Sequence, residues 1–226
     1  MKKIITGLLS VAVIAGMASC SKSSNSTPSN SAQVMYVNGC TGSQNVDGTS
    51  GGTKVSGAAT IAYQKNSSYQ SVTAGSNVAL GFLLSSTQTS LASAMLSLTN
   101  GNNYSVYAGG VVTAPYVVYA TDVLTSPAAG NAKVRFVNLC SDSLSVTANA
   151  GSIAIAANIT RGSISDFKEI VAGSYSVKAG DPTNITTVAD GGTQTFGQGK
   201  IYTVMYTGSK TGTTGAALAV TVIANN

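Results

Sequence analysis

The chain has 226 residues, a net charge of +5, only 8% charged residues, and neither His nor Trp. Without imidazole there is no His-based triad, His metal site or imidazole general base, and three Cys are too few for a Cys-rich zinc site. The pI of 9.1 does not argue for a nucleic-acid partner, because Lys and Arg are scattered along the chain and form no basic patch.

The chain opens Met-Lys-Lys, runs mostly apolar from Ile4 to Met17 and then reads Ala-Ser-Cys. A basic start, an apolar core and small residues before a cut point make residues 1–19 a secretory signal. The run is shorter than the roughly 20 residues a membrane-spanning helix needs. Met17-Ala18-Ser19-Cys20 resembles the lipobox of bacterial lipoproteins, with Met17 where Leu is usual. The resemblance implies cleavage before Cys20, acylation of that residue and a stable lipid anchor in the membrane. The alternative is an ordinary cut near Ala18 with Cys20 a bystander. Residues 20–32, rich in Ser and Asn, read as a flexible tether, since such a tract cannot offset its ordering entropy. Ser21, not Asp, follows Cys20. By resemblance to Gram-negative sorting signals this implies the outer membrane, with the periplasmic and cell-surface faces both open.

Beyond the tether the chain repeats itself. Val34-Met-Tyr-Val-Asn-Gly-Cys40 returns as Val134-Arg-Phe-Val-Asn-Leu-Cys140. Tyr69-Gln-Ser-Val-Thr-Ala-Gly-Ser76 returns as Phe167-Lys-Glu-Ile-Val-Ala-Gly-Ser174, and Gly101-Asn-Asn-Tyr-Ser-Val106 as Gly199-Lys-Ile-Tyr-Thr-Val204. Three anchors in one order at near-constant spacing define two tandem units, 33–124 and 132–226, with residues 125–131 as a Pro- and Gly-bearing linker. Val-, Tyr- and Thr-rich runs at Ala132–Leu139, Ser174–Ala179, Lys200–Thr207 and Ala217–Ala224 predict strands. Asn100-Gly101 and Asp190-Gly191-Gly192 predict turns. Ser86–Thr99 has a helix-like pattern that its Ser and Thr dilute. The expected fold is all-β: two immunoglobulin-like Greek-key β-sandwiches. Gly-x-x-Tyr-x-Val resembles the strand that carries a tyrosine corner, so Tyr104 and Tyr202 are expected to be structural. Gly42–Gly57 is either a recognition loop or a disordered Gly/Ser insert.

The second unit carries Ala-Lys-Val-Arg-Phe-Val-Asn-Leu-Cys-Ser-Asp, then Ala-Gly-Ser-Tyr-Ser-Val-Lys, then Gly-Lys-Ile-Tyr-Thr-Val. It is similar to a family of domains of unknown function that open Ala-x-Val-Arg-Phe-Val-Asn-x-Ser-Pro-Asp-Ala. The resemblance implies tandem β-sandwiches in exported bacterial proteins, often lipoproteins, with no agreed activity and no catalytic residue to carry over. Cys40 and Cys140 stand where that family commonly has Ser. In an oxidising periplasm they are either joined as a disulfide, which requires the units to fold back side by side, or two small, partly buried thiols. Asp142-Ser143-Leu144 resembles an O-glycosylation acceptor centred on Ser143, and equally reads as an ordinary turn.

The seven acidic residues are mostly far apart, the closest pair being Asp166 and Glu169, and no nucleophile has a visible activating partner. The expected role is that of a non-catalytic cell-envelope lipoprotein without cofactor. It would bind or scaffold a protein or glycan through its domain-end loops. A self-associating surface-layer or adhesin component and a carboxylate-dependent hydrolase are the alternatives.

Overall fold

The computed structural model describes residues 30–226 apart from 143, 182, 184–187 and 211–215. Cys20 and Ser143 therefore lie outside the described residues. The first unit contains β1 (Ser31–Asn38), β2 (Asn45–Ser50), β3 (Thr53–Lys54), β4 (Ile61–Ala62), β5 (Lys65–Asn66), β6 (Gln70–Thr73), β7 (Gly75–Leu84), β8 (Ser90–Leu98), β9 (Asn103–Val111) and β10 (Ala114–Asp122). The second contains β11 (Asn131–Asn138), β12 (Val146–Ala150), β13 (Ile153–Ile159), β14 (Lys168–Val171), β15 (Gly173–Gly180), β16 (Ala189–Phe196), β17 (Ile201–Thr207) and β18 (Ala219–Ala224). A single 3-10 turn, Ser56–Ala58, is the one helical element among the described residues.

The two units share one strand order. In the first, β10-β9-β1-β5, with β6 also on β1, faces β3-β2-β7-β8, with β4 also on β2. In the second, β14-β11-β17-β18 faces β13-β12-β15-β16. The molecule is thus all-β and sandwich-built. Each opening strand is central and pairs in parallel with the penultimate strand, β1 with β9 and β11 with β17. The constant-type immunoglobulin order instead keeps its first strand at an edge.

Side-chain alternation explains the repeated stretch. Val34 and Tyr36 point into the first core, as Val134 and Phe136 point into the second. Met35 and Val37 point the other way and meet Val137, Leu139 and Met205 in a third cluster. A strand buried on both faces reads as a continuous apolar run. The sheets holding β1 and β11 therefore pack back to back, and the two units sit side by side. Leu139 also accepts a backbone bond from Gly110 N at 3.1 Å. A Cβ at Gly39 would lie 2.5 Å from Leu139 Cδ1, so only Gly permits this approach.

Two readings change, and the diluted helix-like pattern at Ser86–Thr99 resolves as strand. Gly42–Gly57 is neither a loop nor an unstructured insert: it forms β2, β3 and the 3-10 turn. Asp47 fastens it, accepting from Thr60 N, Ser85 and Gln88 and pairing with Lys54 at 2.7 Å. Ser86–Thr99 contains β8, whose Leu96 and Leu98 reach the core. Asp190-Gly191-Gly192 lies within β16, beside a register shift against β15. Gly192, with φ of 69°, supplies the irregularity there in place of a turn.

Candidate functional site

The two copies of Val-Asn-x-Cys build the same loop anchor. Asn38 Nδ2 donates to the carbonyls of Gln44 and Ile61, each at 3.0 Å, and its Oδ1 accepts from Cys40 N at 3.2 Å. Asn138 Nδ2 donates to Leu144 O at 2.9 Å and Ile159 O at 3.0 Å, and its Oδ1 accepts from Cys140 N at 3.2 Å. Both Asn are fully buried. Tyr104 and Tyr202 likewise match: their hydroxyls accept from Thr99 N at 3.0 Å and Gly197 N at 2.9 Å. A third pair is Ser67 and Ser165, whose hydroxyls accept from Tyr36 N and Phe136 N. These motif residues do structural work.

Cys40 and Cys140 are free thiols. Each is buried in its own core, one among Val34 and Val46, the other among Val134 and Val146. The side-by-side packing that a disulfide requires is present, but the thiols serve separate interiors and no bond joins them. Burial raises the Cys40 thiol to about 12 and the Cys140 thiol to about 11, so neither is a ready nucleophile.

Between the sandwiches lies a buried ionic site that motif reading misses. Arg135 on β11 meets Asp122 at the end of β10 at 2.5 Å, with side-chain exposures of 2% and 0%. Arg135 also donates to Tyr107 OH at 2.8 Å and to Thr203 Oγ1 at 3.0 Å. Its guanidinium stacks 4.5 Å above the Phe167 ring. Asp122 Oδ2 accepts from Tyr69 OH and Ser105 Oγ, each at 2.5 Å. Thr203 passes the network on to Asn225 at 2.8 Å. Burial alone would lower the Arg135 pKa, but Tyr107 and Asp122 raise it instead. Burial, then the Asp122 charge, pushes the Tyr69 phenol up. The arrangement holds fixed charges in place.

The strand directions divide the molecule into two ends. β1 and β11 both run from the end that holds Asn30, the Asn100-Gly101 turn and Asn226 toward the end that holds Cys40 and Cys140. At that far end Tyr116 of the first sandwich donates to Cys140 O at 2.9 Å, and Arg161 of the second lies 4.7 Å over the Tyr116 ring. Tyr116 is therefore a clasp between sandwiches, while Tyr119 on the same strand is half exposed. Asp142, beside Ser143, accepts from Ser209 Oγ at 3.2 Å and from Lys210 N. It reaches across to the loop after β17. Among the described residues, no three His, Cys, Asp or Glu gather to hold a metal ion.

Fold and site together define an all-β sandwich protein whose recurrent residues pin loops and whose buried charges lock two sheets together. A family model for a domain of unknown function (DUF4397) matches residues 32–149, more than half of the chain, and the protein belongs to that family. The match takes in the first sandwich, the connection after β10 and the second unit through most of β12. No curated protein matches the chain.

Proposed function

We propose that the protein is a non-catalytic cell-envelope lipoprotein, acylated at Cys20 and held in the outer membrane, that binds or scaffolds through loops at one end of its paired sandwiches. The single observation that carries this reading is polarity. The described chain begins at Asn30, at one end, and the Cys40–Gln44, Val111–Ala114, Cys140–Asp142 and Thr160–Ser163 segments lie at the other. A lipid on Cys20 would hold the first end near the bilayer and turn these loops outward, where sandwich folds commonly carry recognition. The non-catalytic part draws support from the acidic residues. Asp47, Asp122, Asp142, Glu169, Asp181 and Asp190 all accept bonds from neighbouring groups in the fold. The tandem form belongs to the same proposal, and the strand order common to the two sandwiches supports it.

Labelled palmitate fed to expressing cells tests the anchor. Incorporation into the wild type and its loss in Cys20→Ala supports the lipoprotein. Equal incorporation in both, or none in either, removes it. Protease shaving of intact cells then separates the periplasmic from the surface face by whether peptides from the far-end loops are released.

A further inference from the structure

A cleft of about 480 Å³ runs along β10 between the two sandwiches. One wall is Val118–Thr121 of β10, the other is the segment ending at Phe167 that leads into β14, and Lys133 and Arg135 form the floor. β10 is the last strand of its sheet and pairs with β9 over Ala114–Asp122. Its outer edge makes no backbone hydrogen bond among the described residues. A bare edge is a row of unpaired N–H and C=O groups, a template for another extended chain. The cleft is also continuous with the packed joint, since Val118 and Ile164 belong to both.

The charges in the lining indicate what enters. Arg135 is paired with Asp122, and Lys133, which donates to Thr125 O at 2.7 Å, stands opposite Glu169 across the β11–β14 pair, whose carboxylate offsets its charge. The exposed Asp166 carboxylate meets no partner among the described residues, so the cleft carries one uncompensated negative charge. We propose that this cleft binds an extended polypeptide segment as an added strand on β10, with a Lys or Arg of that segment opposite Asp166. Four residues of β10 span about 13 Å at 3.3 Å per residue, which sets the length of the paired part. Main-chain pairing supplies affinity and the facing wall supplies selectivity. The edge of a second folded copy fits less well. It would bring its own packed sheet, about 10 Å behind, against the wall formed by the Gly162–Phe167 segment. This proposal stands apart from the lipid anchor and survives if Cys20 is unmodified.

The test selects a phage-displayed library of random heptapeptides on the full protein, then measures synthetic copies of enriched sequences by fluorescence anisotropy. Amide exchange across β10 is followed in parallel. Ala120→Trp fills the cleft, and Asp166→Lys inverts its charge at an exposed position that the fold does not need. The expected result is enriched peptides sharing a basic residue, slowed exchange in β10 when they bind, and affinity at least tenfold weaker in both variants. Asp166→Lys should regain binding when the basic residue of the peptide is replaced by Glu. No enrichment, or binding indifferent to both substitutions, overturns the proposal. Concentration-dependent dimerisation that protects β10 without peptide overturns it in favour of a second copy.

Discussion

Asn138, itself fully buried, holds two carbonyls and one N–H, and Asn38 does the same in the first unit. Replacing Asn138 with Ala orphans these groups, so Asn138→Ala should lower unfolding free energy by about 1–3 kcal/mol, read as a lower urea midpoint at unchanged slope. Arg135→Ala should cost more, about 3–5 kcal/mol, because it strands the Asp122 charge in the interior. The double variant Arg135→Met with Asp122→Leu removes both charges and should recover much of that loss. A double variant no more stable than Arg135→Ala would mean that the pair is not an isolated electrostatic unit. The buried thiols make a chemical prediction: neither Cys40 nor Cys140 should take up iodoacetamide at pH 8 in the folded protein, and both should react once guanidinium unfolds it, as intact mass will show.

At the scale of elements, β2 depends on Asp47. Burial alone would raise that carboxyl, but bonds from Gln88, Lys54, Thr60 and Ser85 hold it well below the ordinary range. A carboxyl depressed by folding stabilises the folded state above its unfolded pKa, about 3.9, and that contribution fades as pH falls below it. The wild type should therefore exceed Asp47→Asn in stability at pH 7, and the gap should narrow as pH drops from 4 toward 2. A gap independent of pH would place the effect in packing. This region also marks where the sequence was hardest to read. Gly42–Gly57 looks like a loop because Gly, Ser and Thr carry no period, yet Val46 and Asp47 hold its first strand in place. In contrast, β11, β15, β17 and β18 were legible within about two residues, since Val, Tyr and Thr alternate there. The buried ion pair left one signal: Arg135 interrupts an apolar run in which its counterpart is Met35. Nothing local in the sequence ties it to Asp122, because the partner comes from a strand that only the packing of the two units brings near.

For the whole molecule, the joint makes two sandwiches behave as one. Met35, Val37, Tyr107, Val137, Leu139 and Met205 are all essentially inaccessible, and separating the units would expose them together with the Arg135–Asp122 pair. Thermal unfolding should accordingly show one calorimetric transition, with calorimetric and van't Hoff enthalpies equal. Gly39→Val drives a side chain into Leu139 and the carbonyl of Ala108. It should split the transition in two and increase the radius of gyration in solution scattering. A single transition retained in Gly39→Val would show that the contact yields without opening the joint.

The central place of β1 has a mechanical consequence. β1 is flanked on one side by β9, in parallel register from Gln33–Asn103 to Asn38–Ala108, and on the other by β5 and β6. Tension applied at Asn30 and resisted at the opposite end pulls this strand along its own axis. Its bonds on both sides are then loaded together, in shear, and must fail as a group. A strand peeled from an edge would lose them one at a time at far lower force. The first described residue thus leads into the strand of its sandwich best placed to bear load.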